Sequence, residues 1–190
     1  MEELRLINGL KHGEEWAYDE FFREYAPKIG SVARSYLGAD DVDDIVQEVL
    51  IRVFKSIRKF RGDSKLSTWV YRITVNVCKT LLQKYKRMKE SLVDFSDDET
   101  FYYLEPRTSV DVLKQALDEL NYETVMKAME RLSPNDRLLI KLRDIDGLSY
   151  DEIAEIINKP LGTVKSGIHN ARKRLKNLLK GGLEDLEKQR

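Results

Sequence analysis

Between Val42 and Ile57 the apolar residues fall at Val42, Ile45, Val46, Val49, Leu50, Val53, Phe54 and Ile57. This i, i+3, i+4, i+7 spacing lays one apolar stripe along an α-helix; a strand would need strict alternation. The stripe must be buried, so the segment has to pack on other helices. The same period runs through Leu4, Ile7 and Leu10 in residues 2–12. It continues through Trp16, Phe21, Phe22, Tyr25, Ile29, Val32, Ala33, Tyr36 and Leu37 in residues 14–37. A third helix is predicted from Lys65 to Met88, with Leu66, Trp69 or Val70, Ile73, Val77, Leu81 and Tyr85 buried and Tyr71, Arg72, Asn76, Lys79, Gln83, Lys84 and Lys86 outward. The predicted fold class is all-α. Gly13 and Gly38 are placed to end the first two helices. Pro27 lacks an N–H and crowds the preceding turn, which predicts a kink or break. Gly62 permits a turn before Lys65, and Ser64 is the expected cap.

Asp40, Asp41, Asp43 and Asp44 stand where the 42–57 helix opens. Carboxylates are favoured there by free N–H groups and by the helix macrodipole. A metal-dependent nuclease would need a fuller ligand shell, and no His or Glu set stands nearby. The face opposite the stripe carries Asp44, Gln47, Glu48 and Ile51, which suits either solvent or a partner helix.

Charge sums to zero over the chain but is segregated. Residues 1–51 carry −7, residues 52–89 +11, residues 90–123 −8, residues 124–158 −2 and residues 159–190 +6. In the first basic block Asp63 is the single acid, and Phe54, Phe60, Trp69, Tyr71 and Tyr85 are interleaved. Basic groups neutralise phosphates and flat rings stack on unpaired bases, so this mixture suits a nucleic acid with exposed bases. Two basic blocks around an acidic one predict two polyanion-binding surfaces. The single cysteine, Cys78, leaves no intrachain disulfide and no multi-cysteine zinc site, and it falls within an apolar helical pattern. No stretch approaches a membrane span, Met1-Glu2-Glu3 does not open a signal peptide, and the expected location is the cytoplasm. Nothing in the sequence calls for a cofactor.

From Glu90 to Pro106 the periodicity fails in an acidic, polar run that reads as a linker, although Phe95, Phe101, Tyr102 and Tyr103 do not suit a pure spacer. Helical spacing returns at residues 109–120. The predicted organisation is residues 1–89, a linker at 90–120, and residues 121–190. In the last part, Val125, Met126, Met129 and Leu132 mark one helix, and Ser133-Pro134 starts the next. Ser149-x-x-Glu152 is a capping box opening a short helix. Asn158-Lys159-Pro160-Leu161 makes a tight turn into a final basic helix to Lys180. Two helices joined so closely form a helix-turn-helix pattern. Val164, Ile168, Ala171 and Leu175 share its inner face. Ser166, His169, Asn170 and Lys173 point away from it, and Ser, Asn and Lys all pair with base edges. Thr163, Lys165, Arg172 and Arg174 lie on the flanks, in reach of phosphates. His169 has no partner ligand, so it reads as a neutral hydrogen-bonding or phosphate contact.

Three motifs carry a resemblance over nearly the full length. They are Asp44-Ile45-Val46-Gln47-Glu48-Val49 with Phe54, Phe60-Arg61-Gly62-Asp63-Ser64-Lys65-Leu66-Ser67-Thr68-Trp69-Val70-Tyr71-Arg72-Ile73 with Asn76, and Leu148 to Ile156 with Gly162-Thr163-Val164-Lys165-Ser166. In this order they resemble the extracytoplasmic-function branch of the bacterial sigma-70 factors. The resemblance implies a dissociable, non-catalytic specificity subunit of RNA polymerase. Asp44, Gln47, Glu48 and Ile51 would then dock on the clamp coiled coil of the β′ subunit. Arg61, Lys65, Trp69, Tyr71, Arg72, Asn76 and Lys79 would melt and hold the −10 element; with Trp69 facing inward, Tyr71, Arg72, Asn76 and Lys79 would carry the contact. The unit at 149–176 would read −35 duplex through Thr163, Lys165, Ser166, His169, Asn170, Arg172, Lys173 and Arg174, and touch the β flap. The linker would enter the RNA exit path, and an anti-sigma partner would hold the protein off. Two positions depart from the family pattern: Gly167 and Asn170 stand where arginines are usual, which should weaken phosphate contact. A stand-alone helix-turn-helix regulator explains residues 122–180 but leaves the 42–89 block without a role.

Overall fold

The computed structural model describes residues 2–38, 42–90 and 122–187. The segment expected as a linker, the expected helix at 109–120, and Asp40 and Asp41 lie outside them. The described residues form eight α-helices and contain no strand, in agreement with the all-α expectation. The described residues form two compact units, one before and one after residues 91–121.

The first unit holds α1 (Glu2–His12), α2 (Glu15–Leu37), α3 (Val42–Ser56) and α4 (Leu66–Glu90), with a 3₁₀ turn at Ile57–Lys59. α2, α3 and α4 pack on one another, and α1 packs on α2. Phe21, Ile29, Val32, Ile45, Val49, Val53, Leu66, Val70 and Cys78 are fully buried between them. An aromatic cluster joins α2 to α3. Phe21 stacks on Tyr25 at 4.5 Å, and Phe54 meets Tyr18 and Phe21 edge-on at 4.8 and 5.6 Å. α1 reaches α2 through Gly9. A Cβ added there would stand 2.6 Å from the Trp16 ring and 2.7 Å from Ala17 Cβ, so only glycine lets the two helices close.

Pro27 neither ends nor divides α2, which is continuous from Glu15 to Leu37. Pro27 and Arg23, whose carbonyl loses its N–H partner, are both exposed residues, while Tyr25, Ile29 and Val32 hold the helix from the buried side. Gly38 ends α2 at a φ of 99°, its N–H donating to the Arg34 carbonyl.

The second unit holds α5 (Tyr122–Glu130), α6 (Pro134–Ile140), α7 (Tyr150–Ile157) and α8 (Leu161–Glu187). Val125, Met129 and Leu132 meet Ile140, Ala171, Leu175 and Leu179 in one core. Ser133 caps α6 by accepting the Asp136 N–H at 3.2 Å. The Ser149–Glu152 capping box is complete, at 3.2 and 2.8 Å. α6 runs on into a π-helical turn at Lys141–Ile145, which local sequence signals did not indicate. α7 ends on Asn158 in the left-handed region at φ 55°, and Pro160 follows just before α8. Asn accepts that conformation more readily than other non-glycine residues because its side chain can bond locally.

Candidate nucleic-acid and partner interfaces

Three exposed surfaces carry the residues singled out from sequence. The first is the outer face of α3. Asp44, Gln47 and Ile51 are exposed and Glu48 is half-buried. Glu48 accepts a bond from Arg52 Nε at 2.6 Å, one turn on. Ile51 is 46% exposed at the C-terminal end of this row. An aliphatic side chain left exposed beside polar groups is a contact that water gains nothing by keeping, whereas a partner helix would cover it.

The second surface is the turn before α4 and that helix's outer side. Phe60 and Leu66 are both buried and bracket the turn, and the Phe60 ring packs on Trp69 at 5.0 Å. Between these anchors Arg61, Gly62, Asp63 and Lys65 are exposed. Gly62 turns the chain at φ 80°, and Arg61 and Asp63 approach to 3.6 Å with both side chains over 80% exposed. The first N–H of α4 has a partner that local sequence did not reveal. Leu66 N donates to Glu3 Oε1 of α1 at 2.7 Å. The expected cap was Ser64, but a carboxylate from 63 residues away holds that N–H.

Along α4, Asn76 is exposed and Arg72 and Lys79 are half-buried. Tyr71 does not lie on the outer face as expected: it is buried, 6% exposed, and Trp69 is 9% exposed. The reason is that α4 packs on both α2 and α3. Its buried face therefore widens to take in Thr68, Tyr71, Thr74, Val75 and Cys78 beside Leu66, Val70 and Val77. At the other end the expected stripe stops early. From Thr80 on, every described side chain of α4 is half-buried or exposed, and Tyr85 is 41% exposed. Burial holds the Tyr25 phenol well above its ordinary value, with Glu24, Glu3 and Tyr71 adding to the effect. Tyr25, Tyr71 and Glu3 are thus electrostatic neighbours where α1, α2 and α4 meet.

The third surface is α8. Val164, Ile168, Ala171 and Leu175 are buried, as their spacing predicts. Lys165 and Lys173 are exposed, and Thr163, Ser166, His169 and Asn170 are half-buried. Ser166 donates to the Thr163 carbonyl at 3.1 Å. Tyr150 of α7 lies under Arg143 at 4.6 Å and near Lys165 at 6.0 Å. The two flanking arginines are both paired with carboxylates. Arg172 Nε donates to Asp144 Oδ2 at 3.1 Å, and a second nitrogen bonds Asp144 Oδ1. Both side chains are mostly buried, at 17% and 10% exposed. The bond to Asp144 raises the Arg172 pKa, so its charge is fixed. Arg174 reaches both oxygens of buried Asp136 at 2.7 Å while its own side chain stays 60% exposed. Gly167 also has a packing role: a Cβ there would stand 2.9 Å from Leu139 Cδ1 of α6. Missing bulk on α8 lets that leucine approach.

No group of three or more potential metal ligands occurs among the described residues. Cys78 is buried and unpaired, and burial pushes its thiol up to about 12. No described helix is long and apolar enough to cross a membrane.

Comparison with known proteins places these surfaces in two successive modules. The family model of Sigma-70 region 2 matches residues 21–88, and that of Sigma-70, region 4 matches residues 122–175. The chain is 36% identical over 180 residues to the ECF RNA polymerase sigma-E factor of Escherichia coli K12, covering 90% of this chain and 91% of the relative. It is 32% identical over 178 residues to the sigma-E factor of Haemophilus influenzae, covering 90% and 92%. Among solved structures it resembles the sigma factor RpoE of Bartonella quintana, crystallised with the anti-sigma factor NepR. That match has a TM-score of 0.65 and 25% identity over 86% of this chain and 96% of the other. The fold also resembles CnrH in complex with the cytosolic domain of CnrY, with a TM-score of 0.64 and 21% identity over 94% and 97%.

Proposed function

The chain belongs to the extracytoplasmic-function branch of the sigma-70 factors, and from that premise we propose how its surfaces divide the work of promoter-specific transcription initiation. Residues 1–89 dock on core RNA polymerase and capture the −10 element; residues 121–190 read the −35 element; residues 90–120 connect them. The single observation that carries this reading is the order of the two matched modules, each with a basic surface, +11 over residues 52–89 and +6 over residues 159–190.

Asp44, Gln47, Glu48 and Ile51 form the polymerase-docking face, an acidic first turn leading to an exposed aliphatic contact, which suits a partner helix carrying basic and apolar residues. Arg61 and Lys65 from the turn, and Arg72, Asn76 and Lys79 from the outer part of α4, meet the −10 strand. Trp69 and Tyr71 act from beneath it, as the packing that holds the 61–65 turn in place. On α8, Ser166, Asn170 and Lys173 face base edges, and Thr163, Lys165 and His169 reach the backbone. Arg174 adds to the field over the phosphates from its exposed guanidinium. Arg172 is a strut between α8 and the π-helical turn. The protein works in the cytoplasm with its polymerase, and an anti-sigma partner restrains it, by analogy with the Bartonella quintana complex.

The test is transcription by core polymerase with and without the purified protein. Promoter-specific transcripts that require the protein are expected. Promoter binding by the protein alone, with no dependence on core, would instead favour a stand-alone regulator.

A further inference from the structure

We infer that Glu3 is a positioning residue for −10 strand capture, so that the N-terminal helix is a working part of the −10 site. The inference rests on the reading of residues 61–65 and α4 as the −10 contact.

The 61–65 turn is held at two points. On one side Phe60 packs against Trp69 at 5.0 Å. On the other, Leu66 is fully buried and its N–H donates to Glu3 Oε1 at 2.7 Å. An orphan N–H at a helix start takes whichever acceptor is nearest, and that choice sets the path by which the chain enters the helix. Here the acceptor belongs to a different helix, so the turn's geometry is referred to α1. A second device places α1. Gly9 admits the Trp16 ring and Ala17 at distances no Cβ would allow, and Leu6, Ile7 and Leu10 are buried beside it. α1 also contacts the 57–59 turn just upstream of Phe60. One short helix therefore touches both ends of the exposed segment.

Chemistry favours a carboxylate in this role. A charged acceptor bonds the N–H more strongly than a hydroxyl and complements the positive end of α4. Held there, Glu3 also fills the place at the N-terminus of α4 that a phosphate would otherwise seek. Strand phosphates are left to Arg61 and Lys65, which are exposed. Losing a capping contact of this kind lowers the ratio of ordered to disordered turn about fivefold.

The experiment compares holoenzymes carrying wild type, Glu3→Ala and Glu3→Gln. The probes are core polymerase, for docking affinity, and a premelted promoter fork whose single strand carries a −10 sequence from which wild type initiates. Glu3→Ala is expected to weaken fork capture by up to about fivefold with docking unchanged, and Glu3→Gln, which keeps an acceptor oxygen, to recover most of the loss. Equal fork capture by wild type and Glu3→Ala would overturn the inference. So would a parallel loss of docking and capture, since that is the mark of a general structural role. If wild type itself gave no promoter-specific initiation, the functional reading would fail first, and the two failures remain distinct.

Discussion

The Arg172–Asp144 pair separates a strut from a phosphate contact by a measurable margin. Arg172→Ala would leave a carboxylate 10% exposed with both of its guanidinium bonds gone. Removing one partner from a buried pair costs about 3–5 kcal/mol, whereas an exposed pair is worth about 0–1. With 17% of the arginine side chain still solvated, the low end applies, so the expected loss is roughly 3 kcal/mol. Both tryptophans, Trp16 and Trp69, lie in the first unit, so their fluorescence does not follow this loss. Hydrogen exchange of the α8 amides from Val164 to Leu175 does. Asp144→Ala should cost a similar amount, and Arg172→Met with Asp144→Leu should recover much of it, because neither charge is then left stranded. Under conditions where α8 stays folded, the salt dependence of holoenzyme binding to −35 duplex should be unchanged in Arg172→Ala. A phosphate contact would give the reverse pattern: stability within about 0.5 kcal/mol of wild type and a salt slope reduced by about one. That result would refute the strut.

In the first unit, Asn76→Ala should leave stability within about 0.5 kcal/mol of wild type while slowing open-complex formation, because Asn76 is exposed. Trp69→Ala should instead destabilise by about 3–5 kcal/mol through the cavity it opens beside Phe60, read by urea denaturation with Trp16 fluorescence. Ile51→Asp should weaken binding to core polymerase in a competition assay without lowering stability, since Ile51 is 46% exposed. Burial disfavours the thiolate of Cys78, whose folded value of about 12 stands above the ordinary 9.0. The unfolded chain therefore releases that proton first. The Cys78 contribution is fully present below pH 9 and is lost as pH rises toward 12. Tyr25 acts in the same direction. Urea midpoints should fall across that window, less steeply in Cys78→Ala, and native Cys78 should react with iodoacetamide only as the unit unfolds.

Helical period, charge blocks and motif order made the sequence legible as an all-α chain with two basic surfaces, and they located α1 to α3 and the capped starts of α6 and α7 nearly to the residue. Those features are local: a stripe at 3.6 residues per turn, or a serine three residues before a glutamate, acts within one or two turns. Tyr71 shows where local reading stops. Its spacing put it on the outer face, and only the packing of α4 against both α2 and α3 brought it inside. Pro27 shows the same limit from the other side, because the cost of a missing N–H depends on whether water can reach the stranded carbonyl. The ion pairs tell most. Nothing local marked Asp136 or Asp144, and Arg172 and Arg174 read as phosphate contacts, but the fold brings them together across 28 and 38 residues. Glu3 and Leu66 meet across 63. The sequence by itself determined which segments are helical and which faces are charged, since those follow from neighbours in the chain. The tertiary structure alone decided which charges face solvent and which hold helices together, because a long-range contact leaves no local pattern.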